Sequence, residues 1–303
     1  MDTLDAEQFT IRQLLAHQAG LFAFDEMADK SLIVDIDRLA PVLARQKPAG
    51  PGTRQIYHAL TLGYYESELL RRVDPQGRSI GQYFQDEIAA PLGLDFYIRL
   101  PEEIPNTRLA TLRQAKIGMS AIFTMPFPMV LAAMNPRSAL RRSLVGSLFP
   151  LDEERVYARN FEVPSGGGVG TARTIARAYS VFATGGKELG LREKTLQQLL
   201  APPVALLHRL PAEMQFSLGF AKPSLKNPFG HPSSFGHPGS GGSFGFADPS
   251  ARIGYGYVLN GMGPYLIDPR DIALRKAMYR SIGETDPYHE RGEQSNNGRD
   301  SRR

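Results

Sequence analysis

The chain has 303 residues, 42% hydrophobic and 22% charged, a balance that supports a sizeable folded core and excludes fibrous or low-complexity classes. A net charge of +4 with scattered arginines gives no electrostatic footprint for nucleic acid. Cysteine is absent, which removes disulfides, thiol nucleophiles and thiolate metal sites together and fits a reducing compartment.

The opening residues, MDTLDAEQFT, carry no basic stretch followed by an apolar one, so no signal peptide is expected and the reading is cytoplasmic. Thr10 with Gln13 forms a capping box for a first helix predicted to end near Gly20, with His17 on it as a structural residue. A second short helix is expected over 35–43. The turn-rich stretch 47–53 then delivers the chain to Tyr57-His58-Ala59 and a helix over 60–73. A tyrosine at such a junction serves either as a core residue with a satisfied hydroxyl or as a positioned acid or base. Ser79 with Gln82 opens a further helix to about Ala90, stopped by Pro91-Leu92-Gly93, and Phe96–Leu100 reads as a short strand.

The longest uncharged run, Ile117 to Met134, approaches a membrane span in length, but Pro126 and Pro128 would break it in the middle. A buried or lid-like apolar segment is expected there, with no membrane association. The run Pro164–Gly170 resembles an anion-binding loop ahead of a helix over 171–183, although it matches neither Walker A nor GxGxxG. Another helix is expected over 191–200. Asp268 caps a last, amphipathic helix ending near Gly283, and residues 284–303 lack aliphatic core residues and are expected to be disordered.

Between these helices, Ser234 to Asn260 holds two alternating runs around Asp248-Pro249, the pattern of an antiparallel hairpin. Phe244 and Phe246 share one face of the first run, and Ile253, Tyr255, Tyr257 and Leu259 one face of the second; Gly245, Gly254 and Gly256 leave the other bare, so something is expected to pack very close there. Ahead of the hairpin, His237-Pro238-Gly239-Ser240-Gly241-Gly242 is a glycine-rich strand entrance able to aim backbone N–H groups at a ligand. Gly241–Gly245 also matches GxSxG, but an elbow needs a helix after Ser243 and the pattern here is a strand. The six histidines form no metal-binding pair on one helix face, so neither a metal nor a cofactor is expected.

Five stretches taken in order, TIRQLLAHQAGL (10–21), 51–73, 77–95, 166–186 and FGHPGSGGSFGFADP (235–249), resemble the serine β-lactamase-like family. That family includes class C β-lactamases, related serine carboxylesterases and β-lactamase-domain proteins, and the resemblance covers about residues 9–282. It implies an α+β, β-lactamase/transpeptidase-like fold: an antiparallel sheet with flanking helices plus a mostly helical subdomain, within one partial domain over 1–283. It also implies roles. Tyr57 matches the tyrosine of a Tyr-x-Asn element, with Ala59 in place of the asparagine. His237-Pro238-Gly239 stands at the Lys-Thr-Gly position. Ser240 supplies an oxyanion N–H, and His58, Pro238, Gly239 and Gly241 line the substrate. The loss of the lysine and asparagine favours neutral esters, so the implied partner is a small ester or acyl compound.

The family's nucleophile comes from a Ser-x-x-Lys helix that precedes the element matched by 10–21. No serine here has lysine three residues on; Ser138-Ala-Leu-Arg141 is a poor imitation, because arginine does not give up its proton. The expectation is therefore an N-terminally truncated β-lactamase-related chain, most like a carboxylesterase and inactive as it stands. Self-association through the apolar surface left uncovered is expected to follow. The alternative is a non-catalytic relative that binds a ligand or partner.

Overall fold

The computed structural model describes residues 9–24, 32, 35–50, 55–113, 127–139, 141–143, 159, 161–203, 215–224, 227–263 and 268–284. They divide into two compact units, one of Met1–Gly170 with Leu206–Arg209, the other of Thr171–Ala205 with Leu210–Arg303.

In the first unit, α1 (Ile11–Leu15) starts on the predicted capping box of Thr10 and Gln13. It stops well before Gly20, because His17 takes a left-handed backbone (φ 59°). α2 (Ile36–Arg45) is capped by Asp35, whose carboxylate accepts from the N–H groups of Asp37 and Arg38. α3 (Thr61–Val73) has no side-chain cap of its own. A distant residue does that work: the Ser165 Oγ accepts from the Gly63 N–H and donates to the Leu60 carbonyl, both at 2.9 Å. Leu14, Leu21, Leu39, Leu43, Tyr64 and Tyr65 form the core among these helices.

The next helical stretch is less regular than its pattern. α4 (Ile80–Phe84) begins on the Ser79–Gln82 capping box, passes into a π segment (Gln85–Ala89) and ends as α5 (Ala90–Leu92) on a left-handed Gly93. The start of α4 is also held from afar, since Glu162 accepts from the Ser79 hydroxyl at 2.5 Å and the Gly81 N–H at 3.1 Å. β1 (Phe96–Tyr97) is shorter than expected and pairs with β2 (Val169–Gly170). A Cβ on Gly170 would lie 2.3 Å from the Phe96 ring, so close packing accounts for a glycine there. The stretch resembling an anion loop thus provides a helix cap and a strand rather than a phosphate cradle. Of the uncharged run, 117–126 lies outside the described residues and Phe127–Met134 is helix α6. Among the described residues no helix is long and apolar enough to cross a membrane. The expected disordered tail beyond Glu284 also lies outside the described residues.

The second unit is built on a five-stranded antiparallel sheet in the order β3 (Gln215–Ser217), β4 (Phe220–Lys222), β5 (Phe235–Pro238), β6 (Phe244–Asp248), β7 (Ile253–Tyr257). The expected hairpin is present, with Phe246 opposite Tyr255 and Asp248 opposite Ile253. Because β6 is followed by this turn and strand, Ser243 is no nucleophile elbow. The bare face is the seat of α7 (Ala172–Ala183). A Cβ on Gly254 would come within 2.2 Å of the Ser180 nitrogen, and one on Gly256 within 2.3 Å of the Ala172 carbonyl oxygen. Backbone meets backbone there, as the missing side chains predicted. α8 (Glu193–Leu200) follows, its final carbonyls accepting from the buried Lys222 ammonium.

The aromatic face packs Phe244, Phe246 and Tyr255 with Phe229 and with Tyr279 of α9 (Pro269–Ser281). The buried stripe of α9 differs from an apolar amphipathic face. It is Asp271, Arg275 and Tyr279, spaced i, i+4, i+8. Its charges are matched: Asp271 accepts from the Tyr255 hydroxyl at 2.8 Å and from Arg275 Nε at 2.9 Å. At the hairpin turn Asp248 is fully buried and accepts from the Tyr279 hydroxyl (2.6 Å), the His231 ring (2.8 Å) and turn amides. Burial alone would raise its pKa, but these donors hold it below the usual carboxylate range.

Candidate active site

In the first unit the chain enters α3 through Tyr57 and His58. The backbone carbonyl of Tyr57 accepts from the Ser143 hydroxyl, and its ring meets the His17 ring edge-on at 5.0 Å between centroids. Burial pushes the phenol up to about 12, so Tyr57 is a neutral proton donor near pH 7. It becomes a base only beside a cation that pulls the value back down.

His58 does not line a substrate. It is 1% exposed, its Nε2 accepts from the Leu21 N–H at 2.9 Å, and its Nδ1 lies 3.2 Å from Nδ1 of His17. An acceptor at Nε2 places the proton on Nδ1, facing the lone pair of His17, which also accepts from the His58 backbone N–H at 3.0 Å. With both nitrogens engaged and water excluded, burial lowers its pKa to about 4. The pair ties the left-handed turn at His17 to the entry of α3. His17 is structural, as expected.

In the second unit β5 carries His237 and Pro238 to a turn. β4 pairs with β5 at a single position, Ala221 opposite Gly236, whereas β6 pairs with it from Phe235 through Pro238. Among the described residues, the strand beyond Gly236 therefore has one paired edge and one open edge. The His237 Nδ1 donates to the Pro238 carbonyl at 2.7 Å and its ring lies 5.8 Å from that of Phe216. Burial lowers its pKa, which keeps the ring uncharged at neutral pH. The turn closes through Gly239 N–H to Ser243 carbonyl (2.6 Å) and Gly242 N–H to Gly239 carbonyl (3.2 Å). Gly241 sits at φ 78°, and a Cβ there would also strike Met262. Ser240 is exposed, and among the described residues no group in the chain accepts its N–H. An unpaired amide on a fixed turn at an open strand edge is suited to hold a developing oxyanion.

The Beta-lactamase family model matches residues 2–277. The chain belongs to that family. Esterase/beta-lactamase LipL of Mycobacterium tuberculosis (strain ATCC 25618 / H37Rv) is 28% identical over 258 residues. That match takes in 83% of this chain but 58% of LipL, so the chain spans little more than half the length of this curated relative. A penicillin-binding protein homolog from Caulobacter crescentus superposes with a TM-score of 0.72 at 32% identity, covering 92% of this chain and 73% of that one. A family VIII carboxylesterase gives 0.73 at 32% identity, covering 90% and 71%. The β-lactamase/PBP-like α+β fold read from the sequence is thereby established.

Within these 303 residues the family's Ser-x-x-Lys element has no match. Its imitation at Ser138 is a local cap: the hydroxyl donates to the Ala132 carbonyl and accepts from the Arg141 N–H. Sequence reasoning passed over Ser143, Ser165 and Glu162, which position Tyr57, α3 and α4. Only the serine-glycine run around Ser165 drew notice, and for a different reason.

Proposed function

We propose that this chain is the greater part of a β-lactamase-related serine hydrolase, nearest the carboxylesterases, that acts on small neutral esters. The Ser240 N–H serves as an oxyanion donor and Tyr57 as the group that moves the proton. The observation that carries the reading is the unpaired Ser240 amide at the open end of β5, beside an uncharged His237. A neutral imidazole where relatives of the β-lactamase type carry lysine offers a substrate carboxylate no partner, which supports neutral esters. The carboxylesterase likeness supports the same class. A cytoplasmic location and self-association belong to the same proposal, the latter supported by Leu131 and Met134 standing 52% and 72% exposed on α6.

Covalent catalysis in this family uses a Ser-x-x-Lys nucleophile, and residues 1–303 hold no such element. The chain as given is proposed to be inactive, because Tyr57 is held protonated and a backbone amide is no nucleophile. The same lack supports the second reading, a non-catalytic relative that binds a ligand or partner. The test is p-nitrophenyl butyrate turnover by the purified chain beside a chain extended to include any upstream Ser-x-x-Lys. Turnover by the extended chain alone, blocked by a serine-directed phosphonate, is expected. A nitrophenol burst from the 303-residue chain would overturn the inactivity, and silence of an extended chain would favour the binding protein.

A further inference from the structure

Behind the turn of Gly239–Gly242 lies a small recess of about 10 Å³, the volume open to the centre of a water molecule. Pro238 and Gly242 form its turn side, and Asn227, Asp268, Asp271 and Arg275 supply its polar wall. The wall is fixed. Asp268 caps α9 and is held by Arg270, Asp271 is held by Tyr255 and Arg275, and Arg275 Nη1 donates to the Pro228 carbonyl at 2.7 Å. The turn rests directly on it, since a Cβ on Gly242 would lie 2.7 Å from Cβ of Asp268.

One polar atom in this wall is unaccounted for. Asn227 is 4% exposed and its Nδ2 finds no acceptor among the described residues. A buried amide donor left unpaired is costly, and native structures satisfy such groups with protein or ordered water. The recess has the volume for one water and enough polar partners to hold it. The lining also decides between occupants. Two carboxylates repel an anion such as chloride, while the amide donor and the Arg275 guanidinium disfavour a metal cation. Water can accept from Asn227 and donate to both carboxylates.

We propose that this recess holds one ordered water joining the Asn227 amide to the Asp268 and Asp271 carboxylates, and that Asn227 acts through it as a positioning residue for the turn presenting the Ser240 N–H. The water replaces a side chain that the close approach of Gly242 leaves no room for. The joint couples the start of α9 to the turn, and it does so whether or not the turn binds an acyl group.

Two measurements on the full 303-residue chain test this. A crystal structure resolving ordered water is expected to show one density peak within hydrogen-bond distance of the Asn227 amide and of an Asp268 or Asp271 oxygen. Direct bonding of the amide to a protein acceptor, or a peak coordinated as a metal ion, would overturn it. By hydrogen exchange, Asn227→Leu should speed the two bonded amides of the turn, Gly239 and Gly242, by at least about threefold while those of 253–257 stay unchanged. Asn227→Ser, which keeps a donor, should restore protection. Equal loosening of both segments in Asn227→Leu, no change in either, or no rescue by Asn227→Ser would reduce Asn227 to ordinary packing. If Asn227→Leu does not fold, the crystallographic test decides alone.

Discussion

The Tyr57–His58 corner and the His237–Ser240 turn each set a histidine beside a change of backbone direction, and the two histidines are used differently. His58 is sealed in the first unit with one nitrogen on the Leu21 amide and the other against His17. His237 is half-buried on a strand whose far edge has no partner beyond Gly236 among the described residues, and the turn after it holds an amide that nothing in the described chain accepts. The first region spends its polar groups on holding the fold; the second holds one in reserve. A motif residue becomes available for chemistry only where the surrounding backbone does not claim its donors and acceptors.

Substitutions in the two regions should therefore separate stability from function. His58→Ala removes a fully buried ring and strands the Leu21 N–H, and should cost about 4 kcal/mol in denaturant unfolding. Retention of wild-type stability would break the contrast at its root. The next effect is a pH dependence. His58 has a folded pKa of about 4 against 6.5 in the unfolded chain, so between these values the unfolded state binds the extra proton. Stability should be full above pH 6.5 and fall by about 3 kcal/mol on acidification to pH 4. His58→Gln, which keeps an acceptor for Leu21 without a titrating ring, should flatten that part of the profile.

Support for the open region is probed from behind. Gly254→Ala places a Cβ against backbone atoms of α7 that have nowhere to move, and should cost about 2–3 kcal/mol, read as a shift in thermal midpoint. Ser240→Pro should be the mildest for folding. Gly239 before it is extended and Ser240 opens a 3₁₀ turn, positions that tolerate proline, so stability should change by less than about 0.5 kcal/mol. In a chain supplied with its Ser-x-x-Lys, the same change should cut ester turnover by about 100-fold or more, the effect of deleting one oxyanion donor. Large destabilisation with unchanged turnover would invert the comparison.

Much of the scaffold was legible residue by residue. The capping boxes at Thr10 and Ser79 start helices where expected, and the alternation around Asp248-Pro249 is the β6–β7 hairpin. The glycines at 245, 254 and 256 announced a close neighbour without saying which, and it is α7. The β3–β4 pair went unseen because strands of three residues are too short to show a period. The charged stripe of α9 went unseen because Asp271 and Arg275 read as solvent-facing until their partners are known.

What the sequence determined by itself is local: helix starts, turn positions, the face on which side chains are missing, and the lack of Ser-x-x-Lys within these 303 residues. Such features depend on groups within about four residues of one another, and that spacing is written in the chain. Only tertiary structure decided which polar groups are claimed. Glu162 reaches Ser79 across 83 residues, His58 meets His17 across 41, and nothing local reveals either bond. A hydrogen-bond partner is chosen by position in space, so the difference between a structural histidine and an unclaimed amide exists only once the chain has folded.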